Sequence, residues 1–146
     1  MNENIVEIPV RFNEQDEMGI VHNSVYYIWF EIARNNFAYS ILDMSYQELK
    51  EMGIQSPVIH SECNYIRPAR FMDIVQVKCC YEPSEKNILT LYYEVINKET
   101  LQKLATGKTV NVFLNSTGRL MVERPQFLIN AIDRVMKRPV CLWQPK

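Results

Sequence analysis

The chain has 146 residues, 47% hydrophobic and 23% charged, which suits one domain spanning 1–146 with a core that needs neither disulfide nor metal. Its 16 basic and 17 acidic residues leave a formal charge of −1. The basic residues are scattered, with Arg67/Arg70 and Lys137/Arg138 the densest groups, so no electrostatic footprint for nucleic acid is visible.

The first residues, MNENIVEIPV, hold no basic region followed by an apolar run, so no signal peptide is expected. The apolar run VYYIWF stops at Glu31, far short of a membrane span. A cytoplasmic location is expected. Cys63, Cys79, Cys80 and Cys141 show no CxxC spacing, and adjacent Cys79 and Cys80 face opposite sides of any strand. Four reduced thiols and no metal site are expected.

In chain order, Val6, Ile8, Val10 and Phe12 alternate with Glu7, Pro9 and Arg11, which predicts a first strand. Pro9 cannot donate to a ladder and assigns that strand to an edge. Residues 13–23 form a polar loop. A long helix is predicted from Ser24 to about Leu42, with Asn23 or Ser24 as its N-cap. Tyr26, Phe30, Ala33, Phe37 and Ile41 follow helical spacing, and Val25, Ile28, Trp29 and Ile32 fill much of the remaining circumference. A helix apolar nearly all round is expected to be enclosed. A short helical stretch over 45–52 ends at Gly53. Strands are predicted over 57–65, 74–81, 88–96 and 104–114, joined by EPSEKN, NKETLQK and other turn signals such as NSTG. A terminal helix over 125–137 carries proline in its first turn. This order excludes a doubly wound sheet and predicts an α+β domain in which an antiparallel sheet wraps one long central helix.

Asp16 and Glu17 lie in the loop that feeds the buried helix. A helix N-terminus presents unpaired N–H groups and partial positive charge, so it can bind an anion or polarise a carbonyl. A carboxylate beside it supplies a nucleophile or a general base, and together they suffice to hydrolyse an activated acyl group. A thioester suits so sparse a site, because thiolate leaves with little help. The competing reading is structural: the acidic pair complements the helix dipole and Gly19 supplies a turn.

The run F-x-x-x-D-x-x-G-I-V-H-N-x-x-Y-x-x-W-F-E-x-A-R, from Phe12 to Arg34, resembles the signature of the 4-hydroxybenzoyl-CoA thioesterase family of hotdog-fold enzymes. The segments SPVIHSECNYIRPARFMD and LATGKTVNVFL resemble its later strands, so the likeness spans roughly residues 5–130. It implies a hotdog fold, an acyl-CoA substrate, no separate cofactor, and a site formed between two subunits of a homodimer or a dimer of dimers. It also implies that Asp16 is the catalytic carboxylate, and that Gly19 lets the loop pass close to the thioester. The Asn23 N–H then polarises the carbonyl, and Tyr26 and Trp29 fall on aromatic positions of the helix. Two positions depart from the pattern. Many relatives carry Tyr-His where this chain has His22-Asn23, and Glu14 stands where Asp is frequent.

Other residues carry two readings each. Glu31 is either a catalytic carboxylate, as in another hotdog branch, or a structural one paired with Arg34 or Arg67. His22 orients water or substrate, or caps the loop. His60 and Ser61 contact the thioester or pantetheine arm, or are ordinary strand residues. Lys86, Arg70 and Arg119 are candidates for the coenzyme A phosphates, or surface charges. The leading expectation is an acyl-CoA thioesterase. The alternatives are an acyl-acyl carrier protein thioesterase and a non-catalytic acyl-CoA-binding module. A dehydratase fits less well, because it needs a histidine and a carboxylate across the interface.

Overall fold

The computed structural model describes residues 4–41, 43 and 45–137. Strand β1 (Ile5–Pro9) leads through a short 3-10 turn to helix α1 (Val25–Asn36), which continues as a π-helical turn over Phe37–Ile41. Helix α2 (Tyr46–Glu51) follows, then β2 (Val58–Tyr65), β3 (Ile74–Glu82), β4 (Leu89–Asn97), β5 (Lys103–Asn111) and helix α3 (Gln126–Met136). The five strands form one antiparallel sheet in the order β1-β3-β4-β5-β2. This is the α+β hotdog arrangement that the resemblance implies. The predicted helix end at Leu42, and the tail from 138 to 146 with Cys141, lie outside the described residues.

Alternation sets the inner face of the sheet. Val75, Val77, Cys79 and Tyr81 of β3 are buried, as are Leu89, Leu91, Tyr93 and Val95 of β4. Their neighbours Gln76, Lys78, Cys80 and Tyr92 are half-buried on the outer face. Helix α1 lays Tyr26, Trp29, Phe30 and Ala33 on the inner face, and Phe37 follows them. Full burial of a side chain such as Phe30 contributes roughly 1.5–3 kcal/mol. Helix α3 adds Leu128, Ala131, Ile132 and Val135 to the same core.

One contact fixes how closely the helix sits. The Phe30 ring stacks on Tyr93 with centroids 4.5 Å apart and 16° between planes. It also fills the space above Gly107, where an added Cβ would lie 2.2 Å from the ring. Tyr93 is in turn held by its hydroxyl, 2.7 Å from Thr109 Oγ1.

The structure corrects two expectations, on α1 and on the cysteines, and adds one feature the sequence did not show. Helix α1 is not enclosed: Tyr27, Ile28, Glu31 and Ile32 are exposed, because one five-stranded sheet covers only one side of it. Strand β2 is an edge strand, exposed along nearly its whole length, with Ile59 63% accessible. Finally, Cys63 and Cys79 are free, but Cys80 is disulfide-bonded. The expectation for Pro9 holds: β1 is the other edge, and Pro9 is its last residue, opposite Ile74.

Gly107→Ala should destabilise the protein by about 1–3 kcal/mol through overpacking against Phe30. Urea unfolding of the two proteins measures it, and a paired Phe30→Leu change should recover part of the loss by making room.

Candidate active site

The loop after β1 closes on itself before α1 begins. Asp16 N–H donates to the Ile20 carbonyl at 2.7 Å, and Gly19 N–H donates to the Asp16 carbonyl at 3.0 Å. Gly19 has φ +72°, the left-handed region that makes so tight a return possible. The Asp16 side chain caps the same turn: Met18 N–H donates to Oδ1 at 2.8 Å, with Ile20 N–H at 3.5 Å. These bonds orient the carboxylate and use only one of its oxygens. Among the described residues, Oδ2 accepts no hydrogen bond.

One bond ties the loop to the rest of the fold and another closes it on itself. Val21 N–H donates to the Ala69 carbonyl at 2.8 Å, and His22 N–H to the Glu14 carbonyl at 2.9 Å. The chain then turns into α1 through His22, Asn23 and Ser24. The His22 ring is a local cap: Nδ1 accepts from Ser24 N–H at 3.2 Å and lies 2.8 Å from Ser24 Oγ. Ser24 is the N-cap position, although its own hydroxyl caps no backbone group. Val25 N–H donates to the His22 carbonyl. The N–H of Asn23 has no acceptor among the described residues. It lies one residue before the N-cap, at the positive end of the helix.

Asp16 and Asn23 line one cleft of about 320 Å³. Met18, Ile20, Val21, Tyr26, Tyr65, Ile66, Arg67 and Pro68 complete its walls. The lining is mostly apolar, with a carboxylate, an unpaired N–H and one guanidinium, which is the character of a small-molecule site. Tyr26 is buried, packs on Trp29 at 4.8 Å and meets Tyr65 edge-on at 5.0 Å. Burial pushes the Tyr26 phenol up, against a hydrogen bond to the Ala69 backbone. Burial also raises the Cys63 thiol, which neighbours Tyr65 on the same face of β2. The Tyr65 hydroxyl donates to the Asn23 carbonyl at 2.8 Å.

The sequence-derived candidates divide by position. Asp16, Asn23 and Tyr26 meet in the cleft, and Gly19 and His22 shape its loop. Arg70 lies in the turn between β2 and β3, just beyond Arg67 and Pro68, with its N–H on Asp73 at 3.0 Å. Lys86 and Arg119 sit at the opposite end of the sheet, where Leu89, Asn111 and Val58 pair, whereas the cleft is at the Ile74–Tyr65 end. His60 and Ser61 lie along the exposed edge of β2, and His60 Nε2 is 3.1 Å from Glu62 Oε2. Glu31 is exposed, and it forms no ion pair with Arg34 or Arg67 among the described residues.

Tyr65 and Arg67 were not singled out as site residues by the sequence reading. Arg67 closes the cleft and anchors one guanidinium nitrogen on the Lys103 carbonyl at 3.0 Å. The signal was available: both lie within the strand-ending segment Y-I-R-P, which runs into the RPARFMD turn. Among the described residues, no group of three or more His, Cys, Asp or Glu could hold a metal ion, and no helix is long and apolar enough to cross a membrane.

Comparison with known proteins places the chain in a family of the same fold. A family profile described as the Thioesterase-like superfamily matches residues 10–132. A candidate esterase of Aquifex aeolicus is 31% identical over 99 residues, covering 68% of this chain and 77% of that protein. A Bacillus subtilis protein named as a candidate acyl-CoA thioesterase is 34% identical over 65 residues, 44% of this chain and 46% of its own. A crystal structure of DHNA-CoA thioesterase from Staphylococcus aureus superposes with TM-score 0.82 and 29% identity, covering 91% of this chain and 90% of that one.

Because an added Cβ at position 19 would meet nothing within 4 Å, its cost is in the backbone alone. Gly19→Ala should lose about 1–2 kcal/mol and Gly19→Asn distinctly less, since asparagine tolerates the left-handed region. Urea midpoints of the two variants check the order.

Proposed function

The chain belongs to the thioesterase-like superfamily and is a thioester hydrolase, and we propose that it cleaves acyl-coenzyme A thioesters to the free acid and coenzyme A. The observation that carries this reading is that Asp16 and Asn23, whose N–H has no acceptor among the described residues, line the same apolar cleft. Asn23 N–H polarises the thioester carbonyl and stabilises the oxyanion as the carbonyl carbon becomes tetrahedral. Asp16 Oδ2 faces no competing donor, and it either takes a proton from the attacking water or adds to the carbonyl itself. The thiolate of coenzyme A then leaves, and water supplies the new acid oxygen. Tyr26, Tyr65, Ile20 and Ile66 form the apolar wall for the acyl group. Gly19 keeps the loop tight, and His22 holds the turn rather than the substrate.

Arg67, with Arg70 beyond it, is the basic group at the cleft end of the sheet and the first candidate for the phosphates. Lys86, Arg119, His60 and Ser61 reach a cleft only through a second copy of the chain. We propose that two copies pair along β2. The exposed β2 edge and the apolar stripe Tyr27-Ile28-Ile32 on α1 favour this, since an antiparallel pairing would cover both. Such a twofold arrangement sets the Val58 end of one β2 beside the Tyr65 end of the other, which directs His60 and Ser61 of one copy toward the cleft of its partner.

Thiol release from a panel of short, long and aromatic acyl-CoAs tests the reaction. Asp16→Asn should lower kcat by about two orders of magnitude or more, as loss of a catalytic acid–base group does. Equal activity of the two proteins would move the chemistry to another carboxylate, with Glu31 the first to try. Ile59→Lys should yield monomer by light scattering and lose activity with it, because a charge on a paired edge blocks the pairing.

A further inference from the structure

We propose that Tyr65 is a positioning residue for the oxyanion donor: its hydroxyl pins Asn23 from β2, so that the Asn23 N–H faces the substrate carbonyl. The inference rests on the reading of Asn23 as that donor.

Three contacts define the turn at Asn23, and two of them are local. The peptide that carries the Asn23 N–H is held on its carbonyl side, where Val25 N–H donates to the His22 oxygen at 3.0 Å. The next peptide is held on its N–H side, where Ser24 N–H donates to His22 Nδ1 at 3.2 Å. Both bonds lie within four residues of chain and would follow the turn if it tilted as a unit. The third contact is different. The Tyr65 hydroxyl donates to the Asn23 carbonyl at 2.8 Å across 42 residues of sequence, from the last residue of β2. It is the contact that references the turn to the sheet.

Tyr65 is suited to that task because its ring is itself held. It meets Tyr26 edge-on, with centroids 5.0 Å apart and 88° between planes. Tyr26 is buried and packs on Trp29. The Ala69 carbonyl accepts from Val21 N–H and so anchors the Asp16 loop a few residues beyond Tyr65. The loop of the carboxylate and the turn of the oxyanion donor are thus each bonded to the segment from Tyr65 to Ala69.

Packing needs only the ring, whereas positioning needs the hydroxyl, and Tyr65→Phe separates the two. Removing an oxyanion donor outright costs about 10²–10³ in kcat, and a misplacement of about 1 Å can cost about 10²-fold. Tyr65→Phe should therefore lower kcat by about tenfold to a hundredfold while KM moves less than about twofold, since the interaction is used in the transition state. Its thermal midpoint should stay near wild type, and hydrogen exchange at the Asn23 and Ser24 amides, followed by NMR, should accelerate. Wild-type kcat in Tyr65→Phe, with Asp16→Asn inactive alongside it, overturns the proposal and leaves the thioesterase reading intact. A raised KM at unchanged kcat also overturns it, making Tyr65 a substrate contact. If the unmodified protein hydrolyses no thioester, the parent reading falls. The amide exchange then decides the pinning alone: faster exchange upholds it, and unchanged exchange ends it.

Discussion

The whole arrangement depends on how closely α1 approaches the sheet, and that distance is set at one place. Phe30 lies flat on Tyr93 and occupies the volume that any side chain at position 107 would claim. Glycine in a strand interior costs β propensity and backbone entropy. Here that cost is offset by burial of a full aromatic ring, and Tyr93 keeps its ring in place through Thr109. Once the middle of the helix is fixed, its first turn is carried to a defined position over the Tyr65 end of the sheet. The site is thus a downstream product of a core contact two turns away.

The cleft itself is assembled from segments far apart in the chain. The loop from Asp16 to Asn23, the first turn of α1 and the segment from Tyr65 to Pro68 contribute its walls. Two hydrogen bonds brace them, Val21 N–H to the Ala69 carbonyl and the Tyr65 hydroxyl to the Asn23 carbonyl. Such cross-bracing matters for a site with so few polar groups. A carboxylate and one N–H can accelerate acyl transfer only if their separation is fixed before substrate arrives.

Much of this was legible in the sequence, because the responsible signals are local. Strict alternation in β3 and β4 marked the inner face, and Pro9 marked an edge. The D-x-x-G spacing placed Asp16 and Gly19 in one turn before a helix. What stayed hidden was relational. Nothing in the spacing of Asn23 and Tyr65 announces that they touch, since their bond spans 42 positions. Helical periodicity showed that α1 is apolar on several sides, yet it could not distinguish enclosure by one sheet from a stripe left open on one protomer. Lys86 and Arg119 are unremarkable surface charges in sequence, and only the strand register reveals that they lie at the far end from Asp16. The pairing of Cys80 was equally unreadable, because spacing gives no connectivity.

The open β2 strand has a consequence for the life of the chain before it is assembled. A strand with unpaired backbone groups and apolar side chains is a template for any other extended segment, and natural proteins normally blunt such edges with charge, proline or a bulge. Between Val58 and Tyr65 the bluntest features are the His60–Glu62 pair and an irregularity of register after Val58. If copies pair along β2 as proposed, a newly made copy is sticky until that edge is covered, and the hazard grows at low abundance, when encounters with its own kind are slow. Production of this protein should favour conditions in which nascent copies meet one another quickly, and refolding from great dilution should return less of it.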